Sequence, residues 1–310
     1  MTEMPAYRRT HAAGALDEKI EASRRALASC TLCPRQCGVD RAAGETGWCQ
    51  TADRAVVASY APHFGEERPL VGTSGSGTIF FAHCNLLCLF CQNYEISHGG
   101  EGRPVSAEDL AEMMLRLQGQ GCHNINFVTP SHVVPQILAA LPSAIDGGLR
   151  VPLVYNSSGY DRVETLKLLD GVIDIYMPDF KFWDPELARA ACDAPDYPEA
   201  ARNAVREMFR QVGDLTTDAA GIARRGLLVR HLVLPGGRAG TESIMRFIAD
   251  EVSTATYVNI MPQYRPCGRA AEIPGLDGYP SRTDFQDALD AARAAGLTRL
   301  DPPRRVFMLA

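Results

Sequence analysis

Three cysteines, Cys84, Cys88 and Cys91, stand with three and then two residues between them in the run HCNLLCLFCQN. A loop of that spacing can wrap three thiolates around one compact soft-metal centre. A cubane iron–sulfur cluster has four irons, so three protein ligands leave one iron free for another molecule, much as a catalytic zinc site keeps an open position. The spacing also fits zinc with His83 or His98 as fourth ligand, or three cysteines that are simply buried. A second group, Cys30, Cys33, Cys37 and Cys49, lies closer to the N-terminus. Four thiolates can complete a further cluster or a structural zinc site, and Pro34, Gly38, Gly44 and Gly47 permit the turns such a site demands. The competing reading is four small buried side chains, with Cys30 and Cys33 alone as a redox pair. Cys122, Cys192 and Cys267 are isolated and read as structural, with a role near the substrate as the alternative for Cys192 and Cys267, which fall in two long loops.

The elements that must position these thiols follow a rhythm. Apolar, β-prone runs occur at 78–82, 124–129, 152–155, 172–177, 227–234 and 256–261. Helical patterns follow at 106–118 (with Ser106 as a start signal), 133–141, 161–169, 198–211, 241–252 and 283–295. Repeated β–α units predict an α/β fold with a parallel sheet and helices outside it; the periodicity fits a curled partial barrel and an open doubly wound sheet equally. The connections 178–197 and 262–282 are long and follow strands, where such folds place their active sites. Before residue 78 the chain reads differently: an amphipathic helix at 16–29, the Cys-rich run, and a Gly-rich linker or entry loop at 65–77.

The central run resembles the signature of the radical S-adenosylmethionine (SAM) superfamily, with an aromatic residue, Phe90, just before the third cysteine. Cys91-Gln92-Asn93 is similar to the Cys-His-Asn of pyruvate formate-lyase activating enzymes, and the run CQNYEIS places the chain nearest an activating-enzyme-like branch of unassigned substrate. Three later segments continue the resemblance: Asn156-Ser157-Ser158-Gly159 after the third strand, Asp174 with Met177-Pro178-Asp179-Phe180-Lys181 at the fourth, and Arg230-His231-Leu232-Val233-Leu234-Pro235-Gly236 at the fifth. The resemblance implies a partial (β/α)6 barrel with a Cys-rich N-terminal extension. It implies a [4Fe-4S] cluster on Cys84, Cys88 and Cys91 whose free iron binds SAM. It places Phe90, Asn93, Asn156, Ser157, Met177, Asp179, Lys181 and Arg230 around SAM. Reductive cleavage of SAM then gives a 5′-deoxyadenosyl radical for hydrogen abstraction. Where relatives carry Gly-Gly-Glu after the second strand this chain has Thr129-Pro130-Ser131-His132, so Thr129 and Ser131 are expected to serve the SAM amine in place of a carboxylate. Pro262-Gln263-Tyr264 likewise replaces a Pro-Tyr-His-like run.

The expected organisation is residues 1–75 as a Cys-rich segment with a further cluster or zinc site, 76–265 as the core, and 266–310 as a loop and helix closing it. The expected activity is that of an oxidoreductase resembling glycyl radical enzyme activating enzymes, with a flavodoxin- or ferredoxin-type electron donor. Alternative readings are radical modification of a small molecule or peptide, and a non-catalytic iron–sulfur or zinc protein. With 46% hydrophobic and 22% charged residues, the composition is globular and excludes a disordered, collagenous or coiled-coil chain. A formal net charge of −6 speaks against a broadly basic nucleic-acid surface. No apolar run approaches the ~18 residues of a membrane span, and Arg8-Arg9 has no apolar stretch behind it, so the expectation is a cytoplasmic protein.

Overall fold

The computed structural model describes residues 4–302. Its strands are β1 (Ala55–His63), β2 (Ser76–Phe81), β3 (Arg103–Val105), β4 (Ile125–Val128), β5 (Leu153–Ser157), β6 (Ile175–Pro178), β7 (Thr216–Thr217), β8 (Ala223–Leu232), β9 (Tyr257–Met261) and β10 (Arg299–Leu300). They join in the order β10-β9-β8-β6-β5-β4-β2-β1-β3, with β7 paired to β8. From β2 to β10 along that order every pairing is parallel, whereas β1 runs antiparallel to both β2 and β3. Each of the six strands expected from the sequence overlaps an observed one.

The helices are α1 (Ala6–Ala12), α2 (Leu16–Arg25), α3 (Arg68–Val71), α4 (Tyr94–Ser97), α5 (Ala107–Gly119), α6 (Val134–Asp146), α7 (Val163–Leu168), α8 (Pro185–Cys192), α9 (Tyr197–Val212), α10 (Thr241–Glu251) and α11 (Arg282–Ala294). Ser106 starts α5 as a capping box: its hydroxyl accepts from Asp109 N at 3.0 Å, and the Asp109 carboxylate accepts from Ser106 N at 2.9 Å. Apolar residues at helical spacing, Leu110, Met113, Met114 and Leu117 on α5 and Ile137, Leu138 and Leu141 on α6, turn onto the outer face of the sheet. The first helix is pinned at its start, where Ala6 N donates to the Asp174 carboxylate at 2.7 Å.

The inner face of the sheet is closed at its base by the segment expected to be a linker or entry loop. Between β1 and β2 the chain enters the hollow of the sheet, and Leu70 on α3 packs against Val154, Ile175, Met177, Ala223 and Leu228 of β5, β6 and β8. Glu67 Oε1 accepts from Asn259 Nδ2 of β9 at 2.7 Å. The glycines around it permit tight turns, but tertiary burial of Leu70 decides the conformation, so 65–77 is a plug and not a free linker. The plug reaches from β2 across to β8 and β9, which curls the sheet into a partial barrel.

Candidate functional site

At the C-terminal ends of the parallel strands lies a cavity of about 440 Å³. Phe80 of β2, Val128 of β4, Asn156 and Ser157 of β5, Arg230 and Leu232 of β8 and Met261 of β9 all reach it. Only a curled sheet brings strands so far apart in order to one cavity. Cys84, Cys88 and Cys91 form part of its wall.

The cysteine loop is tightly folded. His83 and Leu87 adopt positive φ, 66° and 55°, which turns the chain back on itself. Leu86 N donates to Cys84 Sγ at 3.3 Å and Cys91 N to Cys88 O at 3.0 Å. Asn85 Nδ2 donates to Tyr160 O at 2.6 Å and Leu89 N to Ala191 O at 2.9 Å, so the loop after β5 and helix α8 hold it from outside. Burial, with Cys88 close by, pushes the Cys84 thiol up to about 12. Hydrogen bonding from the Cys192 thiol, aided by the Lys181 charge, lowers Cys88. Sequence reasoning set Cys192 aside as structural; the fold brings it beside Cys88 through a contact across 104 residues that no local pattern announces.

A charged network shares the cavity with the thiols and reaches Cys88. Arg230 Nε donates to Asp179 Oδ1 at 2.7 Å, Arg230 Nη2 to Asn156 Oδ1 at 2.7 Å, and Lys181 Nζ to Asp179 Oδ2 at 2.6 Å. Burial alone would raise the Asp179 carboxyl, but Arg230 and Lys181 together hold it below the usual carboxylate range. The same carboxylate, with Cys88, raises Lys181 against the opposing effect of burial. Gly159, at φ 77°, lets the loop after β5 lie on this network, since a Cβ there would stand 2.2 Å from Asp179 O. Phe90 meets Phe182 and Tyr264 edge-on, with centroids 5.8 and 5.7 Å apart, and forms an apolar corner.

Of the residues expected at the site, Phe90, Asn93, Thr129, Asn156, Ser157, Asp179, Lys181 and Arg230 line the cavity with the three cysteines. Ser131 and Met177 stand outside it. Ser131 is buried beside Tyr155 and Asp161, and Met177 belongs to the apolar base around Leu70. Strand alternation explains the second: Met177 and Ile175 share the inner face, but one step lower than Asp179. His132, adjacent to the expected amine site, is 1% exposed with Nε2 bonded to Ala82 O at 3.0 Å. Asp174 sits at the opposite end of the strand, holding Ala6 and Leu153 amides.

One lining carboxylate was invisible to the sequence. Glu66, carried by the plug, reaches the cavity and stands 3.6 Å from Arg230 Nη1. Its signal is purely tertiary. A site lacking a glutamate after β4 thus gains one from the far side of β2.

The donor set of the cysteine loop is soft and suits iron or zinc. Of the two histidines that could complete a zinc site, His98 is already engaged, stacked on Tyr94 at 3.9 Å and hydrogen-bonded to Ser97, whereas a cluster on the three thiolates needs no histidine.

Comparison with known proteins agrees with this geometry. A family model described as the radical SAM superfamily matches residues 78–220. An uncharacterized protein of Methanocaldococcus jannaschii is 30% identical over 290 residues, covering 91% of this chain and 79% of the relative. Among solved structures, that of HydG, a maturase of the [FeFe]-hydrogenase, gives a TM-score of 0.50 at 14% identity over 72% of this chain and 50% of that one. A radical SAM methyltransferase from Sphaerobacter thermophilus gives 0.47 at 16% identity over 72% of this chain and 65% of that one. The chain thus spans less than two thirds of either solved structure.

Proposed function

The chain belongs to the radical SAM superfamily, and from that premise we propose that it is an activating enzyme that takes a hydrogen atom from a backbone glycine of a glycyl radical enzyme. Membership implies a [4Fe-4S] cluster and SAM. When bound, they supply reductive cleavage of SAM and the radical that removes hydrogen from a C–H bond.

This chain's own residues prepare that chemistry. Cys84, Cys88 and Cys91 would hold the cluster by three irons. Lys181 and Arg230 offer donors for a carboxylate, and Asp179 and Glu66 offer acceptors for an ammonium group, so this part of the cavity suits an amino-acid zwitterion. Phe90 with Phe182 and Tyr264 gives an apolar face for a ring and keeps water from it. A flavodoxin- or ferredoxin-type protein would deliver the electron.

The observation that supports this choice is the Cys91-Gln92-Asn93 run, similar to the Cys-His-Asn of pyruvate formate-lyase activating enzymes, whose three side chains all line the cavity.

The test is hydrogen transfer from labelled glycine. Reduced, reconstituted protein and SAM are mixed with glycyl radical enzymes of the same genome, grown with Cα-deuterated glycine. Deuterium in 5′-deoxyadenosine and a glycyl radical signal on the partner are expected. SAM cleavage with neither, but with label transfer from a small metabolite or a short peptide, would overturn the activating role and select the alternative substrate.

A further inference from the structure

A second group of thiols lies outside the cavity, between α2 and β1. The chain from Cys30 to Val39 folds back on itself: Cys30 N donates to Val39 O at 2.9 Å and Gly38 N to Cys30 O at 3.0 Å. A tight turn follows Cys33, with Gln36 N on Cys33 O at 3.0 Å. The strand of chain carrying Cys49 lies directly against Cys37. A Cβ on Gly47 would stand 2.8 Å from both Cβ and Sγ of Cys37, so only glycine permits that approach. Trp48 N donates to Cys37 Sγ at 3.3 Å, the kind of amide bond that stabilises a thiolate. Cys33 is within electrostatic reach of the other three. Cys30, Cys33 and Cys49 are buried and Cys37 is exposed.

An independent observation concerns charge. Arg41 is 1% exposed, so its guanidinium is a buried cation. Its donors go to neutral carbonyls, Ala52 O at 2.9 and 3.0 Å and His132 O at 2.8 Å, and its remaining contact is Cys30 Sγ at 3.9 Å. No carboxylate among the described residues pairs with it. Arginine stays protonated, and a buried charge without a counter-ion is expensive. Neutral thiols leave that cost unmet; thiolates on a metal meet it.

We infer that Cys30, Cys33, Cys37 and Cys49 hold a second centre, a four-thiolate iron–sulfur cluster whose negative charge is balanced by Arg41. The cluster form rests on the donor chemistry: four soft thiolates are the ligand set of a [4Fe-4S] cluster, and zinc on the same thiols is the outcome that the test below separates. The centre would sit against the catalytic loop. Arg35, in the turn after Cys33, donates to Asn85 O at 3.2 Å, Leu86 O at 3.4 Å and Cys192 O at 2.6 Å, and its guanidinium covers Trp48 at 4.0 Å. One residue thus ties the second thiol group to the loop that carries Cys84 and Cys88.

The test removes the first centre and counts what is left, so it is independent of SAM chemistry and of any substrate. The Cys84→Ala/Cys88→Ala/Cys91→Ala protein, reconstituted anaerobically with iron and sulfide, should retain about four irons and about four sulfides per chain. Wild-type protein should hold about eight irons, falling to about four in Cys37→Ala. A folded triple variant that is metal-free, or that holds zinc without sulfide, overturns the proposal. Should the triple variant fail to fold, wild-type protein with about four irons, unchanged by Cys37→Ala, overturns it equally. Arg41→Met should keep the iron count and make the reduction potential of this cluster more negative, because loss of a nearby cation disfavours the more anionic reduced form. An unshifted potential would remove Arg41 from its assigned role.

Discussion

At the scale of single residues, the site is organised by Asp179. It binds Lys181 and Arg230 at 2.6 and 2.7 Å in a wall that is largely shielded from water. Removing one partner of such a buried group leaves uncompensated charge, so Asp179→Asn should cost about 3–5 kcal/mol of stability at pH 7, read as a lower urea midpoint. The sign with pH follows from the depressed carboxyl. Its stabilisation is complete above the ordinary aspartate value, about 4, and is lost as pH falls through the lower folded value. Wild type and Asp179→Asn should therefore differ by a constant amount from pH 6 to 8 and converge in acid. A variant as stable as wild type at pH 7 would show that the network stabilises nothing. The three cysteines were legible from their spacing, and Asp179, Lys181 and Arg230 from the resemblance of the segments that carry them; all six line the cavity. Ser131 and His132 were not legible, since turn geometry after β4, where Thr129 takes φ 60°, decides which of three adjacent side chains faces the cavity. Glu66 and Arg41 were missed for a different reason: each acquires its meaning only from partners far away in sequence.

At the scale of elements, the six β–α units were readable from hydrophobic period, and Ser106 marked the start of α5 as its capping chemistry requires. The antiparallel strand β1 was not, because its register against β2 contains an irregularity between Val57 and Ser59, and its burial alternates only in part. The plug was read as a linker or entry loop because glycine reports freedom of the backbone and not its destination. Its importance can be measured at Leu70, which is fully buried among β5, β6 and β8. Leu70→Ala should destabilise the protein by about 2–5 kcal/mol, the usual cost of a large-to-small change in a packed core. Because Glu66 is four residues away on the same segment, the same variant should weaken SAM binding in calorimetry. Stability within about 0.5 kcal/mol of wild type, the range of surface substitutions, would mean that the segment is peripheral after all.

At the scale of the whole molecule, curvature of the sheet is what creates function. An open sheet would leave Phe80 of β2 far from Arg230 and Met261 of β8 and β9; the partial barrel brings them to one cavity with the thiol loop. Hydrophobic period could not distinguish the two forms, since both need the same alternation of strands and helices. The plug, with Asn259–Glu67 and Arg230–Glu66 contacts, supplies the difference. No helix among the described residues is long and apolar enough to cross a membrane. The central claim is that the Cys84–Cys91 loop, sharing its cavity with the Asp179–Lys181–Arg230 network, carries out radical SAM chemistry. The most direct measurement is 5′-deoxyadenosine release from SAM by anaerobically reconstituted, reduced protein, set beside Cys84→Ala, Cys88→Ala and Cys91→Ala. Wild type should release 5′-deoxyadenosine and all three variants should release none above the protein-free background, because each lacks a cluster ligand. Undiminished release from any one of the variants would contradict the assignment.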